Sequence, residues 1–192
     1  MAKRVFFSFH YQDVIDFRVN VVRNHWVTKL KQSDAGFFDA SLWEDAKKTS
    51  DLAIKRLINN SLENTSVTCV LIGSQTFNRR WVKYEIIRSI AKGNKILGIH
   101  INGFKDKYGR VKAQGPNPFY YLGYKISEDG KKISFYNWID NKWVAYTDML
   151  PYTINSSVPV STRGIIFRLS SVYPIYDWIG DNGYERFSSW VN

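Results

Sequence analysis

"SVTCVLIGSQTFNRRWVKYEIIRSIAKGNKILGIHI", residues 66–101, decides the fold. Its opening, "SVTCVLIG" (66–73), is a nearly continuous apolar run, the pattern of a parallel strand covered on both faces. A helix follows from about Phe77 to Lys92, and Gly93 closes it. "KILGIHI" (95–101) is a second apolar strand. A strand, a helix and another strand of this kind predict a parallel pair joined by a right-handed crossover.

The same pattern extends toward the N-terminus. "RVFFSF" (4–9) reads as a buried strand. Asp13 can cap a helix carrying Ile15, Val19, Val22, Trp26 and Leu30 as one apolar stripe. "AGFFDAS" (35–41) holds a second short strand, and 49–65 a second helix capped by Ser50 or Asp51. Residues 1–103 therefore predict an α/β core with a central parallel sheet flanked by helices, strand 4–9 central and 66–73 beside it. After Gly103 the pattern changes. A polar loop (104–118) leads into strand-like segments joined at Asp129-Gly130 and Asp140-Asn141, and "GYERFSSWV" (183–191) reads as a closing helix. Residues 104–192 are expected to be a β-rich elaboration packed on the core.

Composition narrows the function classes. The chain has 192 residues, is 44% hydrophobic and carries a net charge of +10, which favours an anionic partner. Cys69 is the one cysteine, so an intrachain disulfide and a cysteine-rich metal site are excluded. It lies in an apolar run and reads as core. His100 and Cys69 lack metal-ligand spacing, and no metal is expected. No apolar stretch approaches the ~20 residues needed to span a bilayer. A cytoplasmic protein is expected, with neither a membrane nor a nucleic acid as partner.

Glu85 is the acid that matters in the opening stretch. Arg79, Arg80, Lys83 and Arg88 surround it. On a helical wheel Val82, Ile86, Ile87, Ile90 and Ala91 face the core, while Trp81, Glu85, Arg88 and Lys92 share another side. Glu85 thus falls at the edge of the apolar face. There it is either half of a solvated pair with Arg88 or a presented functional group. The helix follows a parallel strand, so its first turns lie near the carboxyl ends of the sheet, where open α/β sheets bind ligands.

"RVFFSFHYQD" resembles the first box of TIR domains, and "VLIGSQTFNRRWVKYE" is similar to their second signature. That signature has a buried strand, a serine, an aromatic residue and then WxxxE, here Trp81 to Glu85. The resemblance is to the bacterial TIR-like branch found in Thoeris anti-phage defence, and it covers roughly 1–103. It implies a flavodoxin-like TIR fold and an enzyme that cleaves the nicotinamide–ribose bond of NAD, with Glu85 catalytic. NAD is then a substrate, and no cofactor is implied. The Thoeris resemblance further implies a cyclic ADP-ribose isomer that diffuses to a separate effector protein, and self-assembly through TIR contacts. Two features depart from the family: the loop after the second strand is not recognisable, and 104–192 lies outside the common core.

The leaving nicotinamide is neutral, so no general acid is needed and one carboxylate can suffice, unlike ordinary two-carboxylate glycosidases. Glu85 would stabilise positive charge developing on the ribose and hold its hydroxyls. Phe6, Ser8 and His10, at and after the end of the first strand, are candidate pocket residues, with Phe6 also suited to the core. Arg79, together with Arg80, could meet the pyrophosphate. Trp81 offers a ring for stacking, or a half-buried anchor that holds Glu85 in place. Two rival classes remain: a TIR scaffold that signals only by assembly, and a nucleic-acid binder using the positive charge.

Overall fold

The structure is a computed structural model that describes residues 4–29, 34–35, 45, 48–106, 108–155 and 157–192. In chain order its first elements are β1 (Val5–Phe9), α1 (Gln12–Ile15), α2 (Arg18–Asn24), β2 (Asp34–Ala35), α3 (Asp51–Leu62), β3 (Val67–Ile72), α4 (Arg80–Lys92) and β4 (Lys95–His100). The remainder are β5 (Leu122–Ile126), β6 (Lys132–Ile139), β7 (Lys142–Ala145), β8 (Tyr152–Thr153), β9 (Ile166–Arg168), β10 (Ile175–Asp177) and α5 (Gly183–Val191).

The main sheet runs β2-β1-β3-β4-β10, and every pairing in it is parallel. This is the flavodoxin-like order expected, with β1 inside the sheet and β3 beside it in the register Phe6 to Thr68 and Ser8 to Val70. Both faces are covered, so all six residues of β3 are buried. Alternation sorts the side chains. Val5, Phe7, Val67, Cys69 and Leu71 meet α2, the π-helical turn after it (His25–Lys29) and α5 through Val19, Val22, Trp26, Phe187 and Trp190. Phe6, Val70 and Ile72 meet α3 and α4 through Ile54, Ile58, Val82, Ile86 and Ile87.

The segment after Gly103 feeds both layers. A second, antiparallel sheet runs β7-β6-β5-β9, with β8 on β6. Its Leu122 and Phe135, with Phe119, Tyr146 and Leu169, join the α3–α4 side of the core. β10 returns to the main sheet beside β4, and α5 closes the opposite face. The two expected turns are present: Gly130 takes φ +73°, and Asp140 and Asn141 take φ +47° and +57° between β6 and β7.

Three local expectations change. The long helix after Asp13 is broken: Phe17 sits at φ +63° between α1 and α2. The next residue, Arg18, is fully buried. Its guanidinium donates to the carbonyls of Phe104 and Arg110, each at 3.1 Å, and to Asp16 at 2.8 Å. Val19, Val22 and Trp26 keep the apolar stripe, Ile15 is exposed, and Leu30 lies outside the described residues. Asp13 is no cap; it lies buried within α1. The strand expected in 35–41 is described only as far as Ala35, in β2. Ser50 does cap α3, accepting from the Ala53 amide at 3.1 Å.

Because the apolar residues of 104–192 are shared between two faces of the main sheet, a fragment of 104–192 expressed alone should show no cooperative melting transition by circular dichroism.

Candidate active site

Ser8 and Glu85 meet in the interior. The Ser8 hydroxyl donates to Glu85 Oε2 at 2.5 Å, with both residues at most 4% exposed. Ser8 is on the α4-facing side of β1 near its carboxyl end, and Glu85 is in the second turn of α4. Burial pushes the Glu85 carboxyl up to about 8, and the Ser8 hydrogen bond opposes that only in part. At neutral pH the proton stays on Glu85.

This corrects the wheel reading, which put Glu85 at the edge of the apolar face. Arg88 does not pair with it; its Nε donates to Asn59 Oδ1 at 2.8 Å. The wheel erred in where it centred the buried face: Val82, Glu85, Ile86 and Ser89 form one buried stripe, along which Glu85 meets Ser8 of β1 and Ser89 accepts from Thr68 of β3 at 2.7 Å.

The other expected residues divide. Phe6 is fully buried among apolar neighbours and belongs to the core. Trp81 is half-buried against that core, with the Arg80 guanidinium 4.6 Å from its ring centroid and Tyr84 edge-on at 6.0 Å. His10 and Arg79 line an open cavity of about 450 Å³ at the carboxyl ends of β1 and β3. Gln12 and Asp13 complete the wall on the β1 side, Ser74 and Gln75 on the β3 side, and Lys112 reaches in from the loop. Glu85 is not on this wall. It is tied to it through β1, because Ser8 precedes His10 by two residues.

Sequence reasoning missed Asp13 and Lys112 as site residues. Asp13 is 2% exposed, its Oδ2 has no hydrogen-bond partner, and burial raises it to about 6 against the opposing pull of Lys112, Arg18 and Arg79. Glycine at 73 makes room for it: a Cβ there would lie 2.1 Å from Asp13 Oδ2. Gly115 in turn rests on the Gly73 carbonyl, 2.1 Å from where its own Cβ would be. Lys112 belongs to a locally basic stretch at 105–112, and its inward turn follows from an ion pair with Asp16.

Arg80 is committed elsewhere. It makes two hydrogen bonds to Asp148, at 2.8 and 2.7 Å, and an ion pair with Asp51 at 2.7 Å. Of the two arginines considered for an anionic ligand, the cavity therefore holds Arg79, whose Nε is buried without a partner. Cys69 is a buried free thiol whose ionisation burial opposes. Among the described residues no helix is long and apolar enough to cross a membrane.

Comparison with known proteins fits this arrangement. Residues 6–106 match the family model described as Thoeris protein ThsB, TIR-like domain. Over all 192 residues the chain is 72% identical to a Bacillus cereus (strain MSX-D12) protein of the same length, named "Putative cyclic ADP-D-ribose synthase ThsB1". The alignment covers 100% of both chains.

The raised carboxyl has a consequence for stability. In the folded state Glu85 titrates above the ordinary value of 4.5. Its contribution is therefore fully present below 4.5 and is lost as pH climbs toward about 8. Glutamine keeps the shape and the acceptor for Ser8 but does not titrate. The melting temperature of Glu85→Gln minus that of the wild type should grow steadily between pH 5 and pH 8. Asp13 titrates in both proteins and cancels. Scanning calorimetry across that range checks it, and a constant difference would contradict the buried protonated acid.

Proposed function

Because the chain belongs to the TIR-like family of Thoeris protein ThsB, we propose that it cleaves the nicotinamide–ribose bond of NAD and joins the ADP-ribose ends into a cyclic isomer. The observation that carries this reading is the placement of Glu85. It is held by Ser8, two residues before His10, which lines a cavity together with the cations Arg79 and Lys112. NAD is consumed as substrate, in the cytoplasm, and no cofactor is required. The product acts as a second messenger in anti-phage defence, reaching a separate effector protein by diffusion. TIR-type contacts between copies would assemble the enzyme.

The residues suit the chemistry. A dinucleotide brings a pyrophosphate, for which Arg79 and Lys112 supply charge-assisted donors. The Asp13 carboxyl, with one oxygen unpaired, can accept from a ribose hydroxyl. The oxidised nicotinamide ring is a cation. Brought close to Glu85, it favours the ionised form that burial disfavours, so substrate itself helps to discharge the acid. As the C1′–N bond breaks, its electron pair leaves with the neutral nicotinamide, and the ribose becomes cationic against the Glu85 carboxylate. A hydroxyl of the same nucleotide then forms the new C1′–O bond and gives its proton to a carboxylate. Burial around Glu85 keeps competing water scarce, which favours the cyclic product over ADP-ribose.

The rival scaffold reading needs no intact Glu85, and the two separate cleanly. Glu85→Gln should fold with a melting temperature near pH 7 at or above that of the wild type, yet lower cyclic product by about 100-fold or more, the usual scale for losing such electrostatic stabilisation. Arg88→Ala, which removes only the contact with Asn59, should leave product within about twofold. Product is read by mass spectrometry of activated cells. Undiminished product from a folded Glu85→Gln protein would remove the enzymatic role.

Replacing Arg79 or Lys112 by alanine should weaken use of NAD by about tenfold each, the worth of one charge-assisted contact. Titrating the NAD concentration dependence of turnover checks this, and an unchanged dependence would take the pyrophosphate out of the cavity.

A further inference from the structure

The residue that follows β7 brings a buried polar group into the α4 side of the core. Tyr146 follows β7, held by its amide donating to the Phe135 carbonyl at 2.9 Å. Its ring lies in the core cluster with Phe6, Val82 and Ile86, 7% exposed. Its hydroxyl is buried and has no hydrogen-bond partner. A phenylalanine would fill the same space without stranding a donor. Val82 and Ile86 flank Glu85 on α4, and Phe6 shares with Ser8 the α4-facing side of β1, so the cluster that holds this phenol surrounds the Ser8–Glu85 pair.

The backbone that carries Tyr146 is strapped down. Two residues on, Asp148 holds Arg80, the first residue of α4, and pairs with Lys55 of α3 at 3.1 Å. Tyr146 therefore keeps its place relative to α4.

Glu85 has the complementary deficit. Its one hydrogen-bond partner among the described residues is Ser8. That suffices for a neutral carboxyl, whereas a buried carboxylate is stabilised by two or three donors. Tyr84, on the same helix, points its hydroxyl at Asn59 Oδ1, 3.4 Å away. Tyr146 is the phenol left without a partner.

Resting on the reading that Glu85 works as a carboxylate, we propose that Tyr146 is a positioning residue for it: its hydroxyl donates to Glu85 when that group ionises, so the second sheet completes the active site. The resting state then leaves the donor idle, and discharge of the acid recruits it.

Infrared spectroscopy tests this without reference to turnover. The C=O stretch of the protonated Glu85 carboxyl is the band that Glu85→Gln removes. In the wild type it should fade around pH 8. In Tyr146→Phe its midpoint should rise by about one pH unit, the worth of one charge-assisted hydrogen bond. The other groups around the pair are Tyr84 and Arg80 on α4, Asp148 beside Tyr146, Lys55 on α3 and the non-titrating Ser8 on β1. Phenylalanine leaves all of these in place. Its melting temperature should equal or exceed that of the wild type, since an idle buried hydroxyl is lost, while cyclic product in cells falls about tenfold. An unshifted midpoint in a folded Tyr146→Phe protein overturns the proposal. If Glu85→Gln retained product, the catalytic reading would fall on its own, and the infrared midpoint would still decide whether Tyr146 serves Glu85.

Discussion

A carboxyl group buried on a single hydroxyl is the constraint around which this molecule is arranged. The Ser8–Glu85 hydrogen bond joins the sheet to α4 at the carboxyl edge, where β1 and β3 open into the cavity. Within the described residues no cation sits against it to hold the charge, so the fold keeps the group neutral by excluding water. Glu85 lies on the side of α4 that packs on the main sheet, where Ser89 one turn on meets Thr68 of β3, and this packing keeps the acid protonated. The substrate would reverse this by bringing its own positive charge.

Much of the frame was legible because both faces of the sheet are covered. β3 reads as a strand on its own, since every side chain in it must be apolar or small. α4 ends where Gly93 adopts φ +82°, a geometry the residue type announces. The strand order followed from alternation and crossover handedness. β10 was hidden: three half-buried residues after Pro174 carry no periodicity long enough to read. The break at Phe17 was hidden too, because its cause is Arg18 reaching carbonyls about ninety positions away.

The site divides along the same line. The placement of Ser8, His10, Arg79 and Glu85 near the carboxyl ends of β1 and β3 was legible, since chain topology brings those segments together. What sequence could not supply was environment. The buried partner of Glu85 is Ser8, 77 positions earlier in the chain, and a helical wheel of α4 cannot show it. Arg79 and Arg80 are adjacent and chemically alike, yet Asp51 and Asp148 occupy one and leave the other to the cavity. Lys112 was one cation among several in its loop until Asp16 oriented it.

The contact between Gly115 and the Gly73 carbonyl acts as a mechanical stop. Two backbones touch there with no side chain between them. Nothing can be trimmed to bring the loop bearing Lys112 nearer the end of β3. The opening is therefore bounded on one side: at this contact the loop cannot approach the end of β3 any further. On that side, discrimination against short phosphorylated fragments would have to come from contacts they fail to make, because the backbone there cannot close on them.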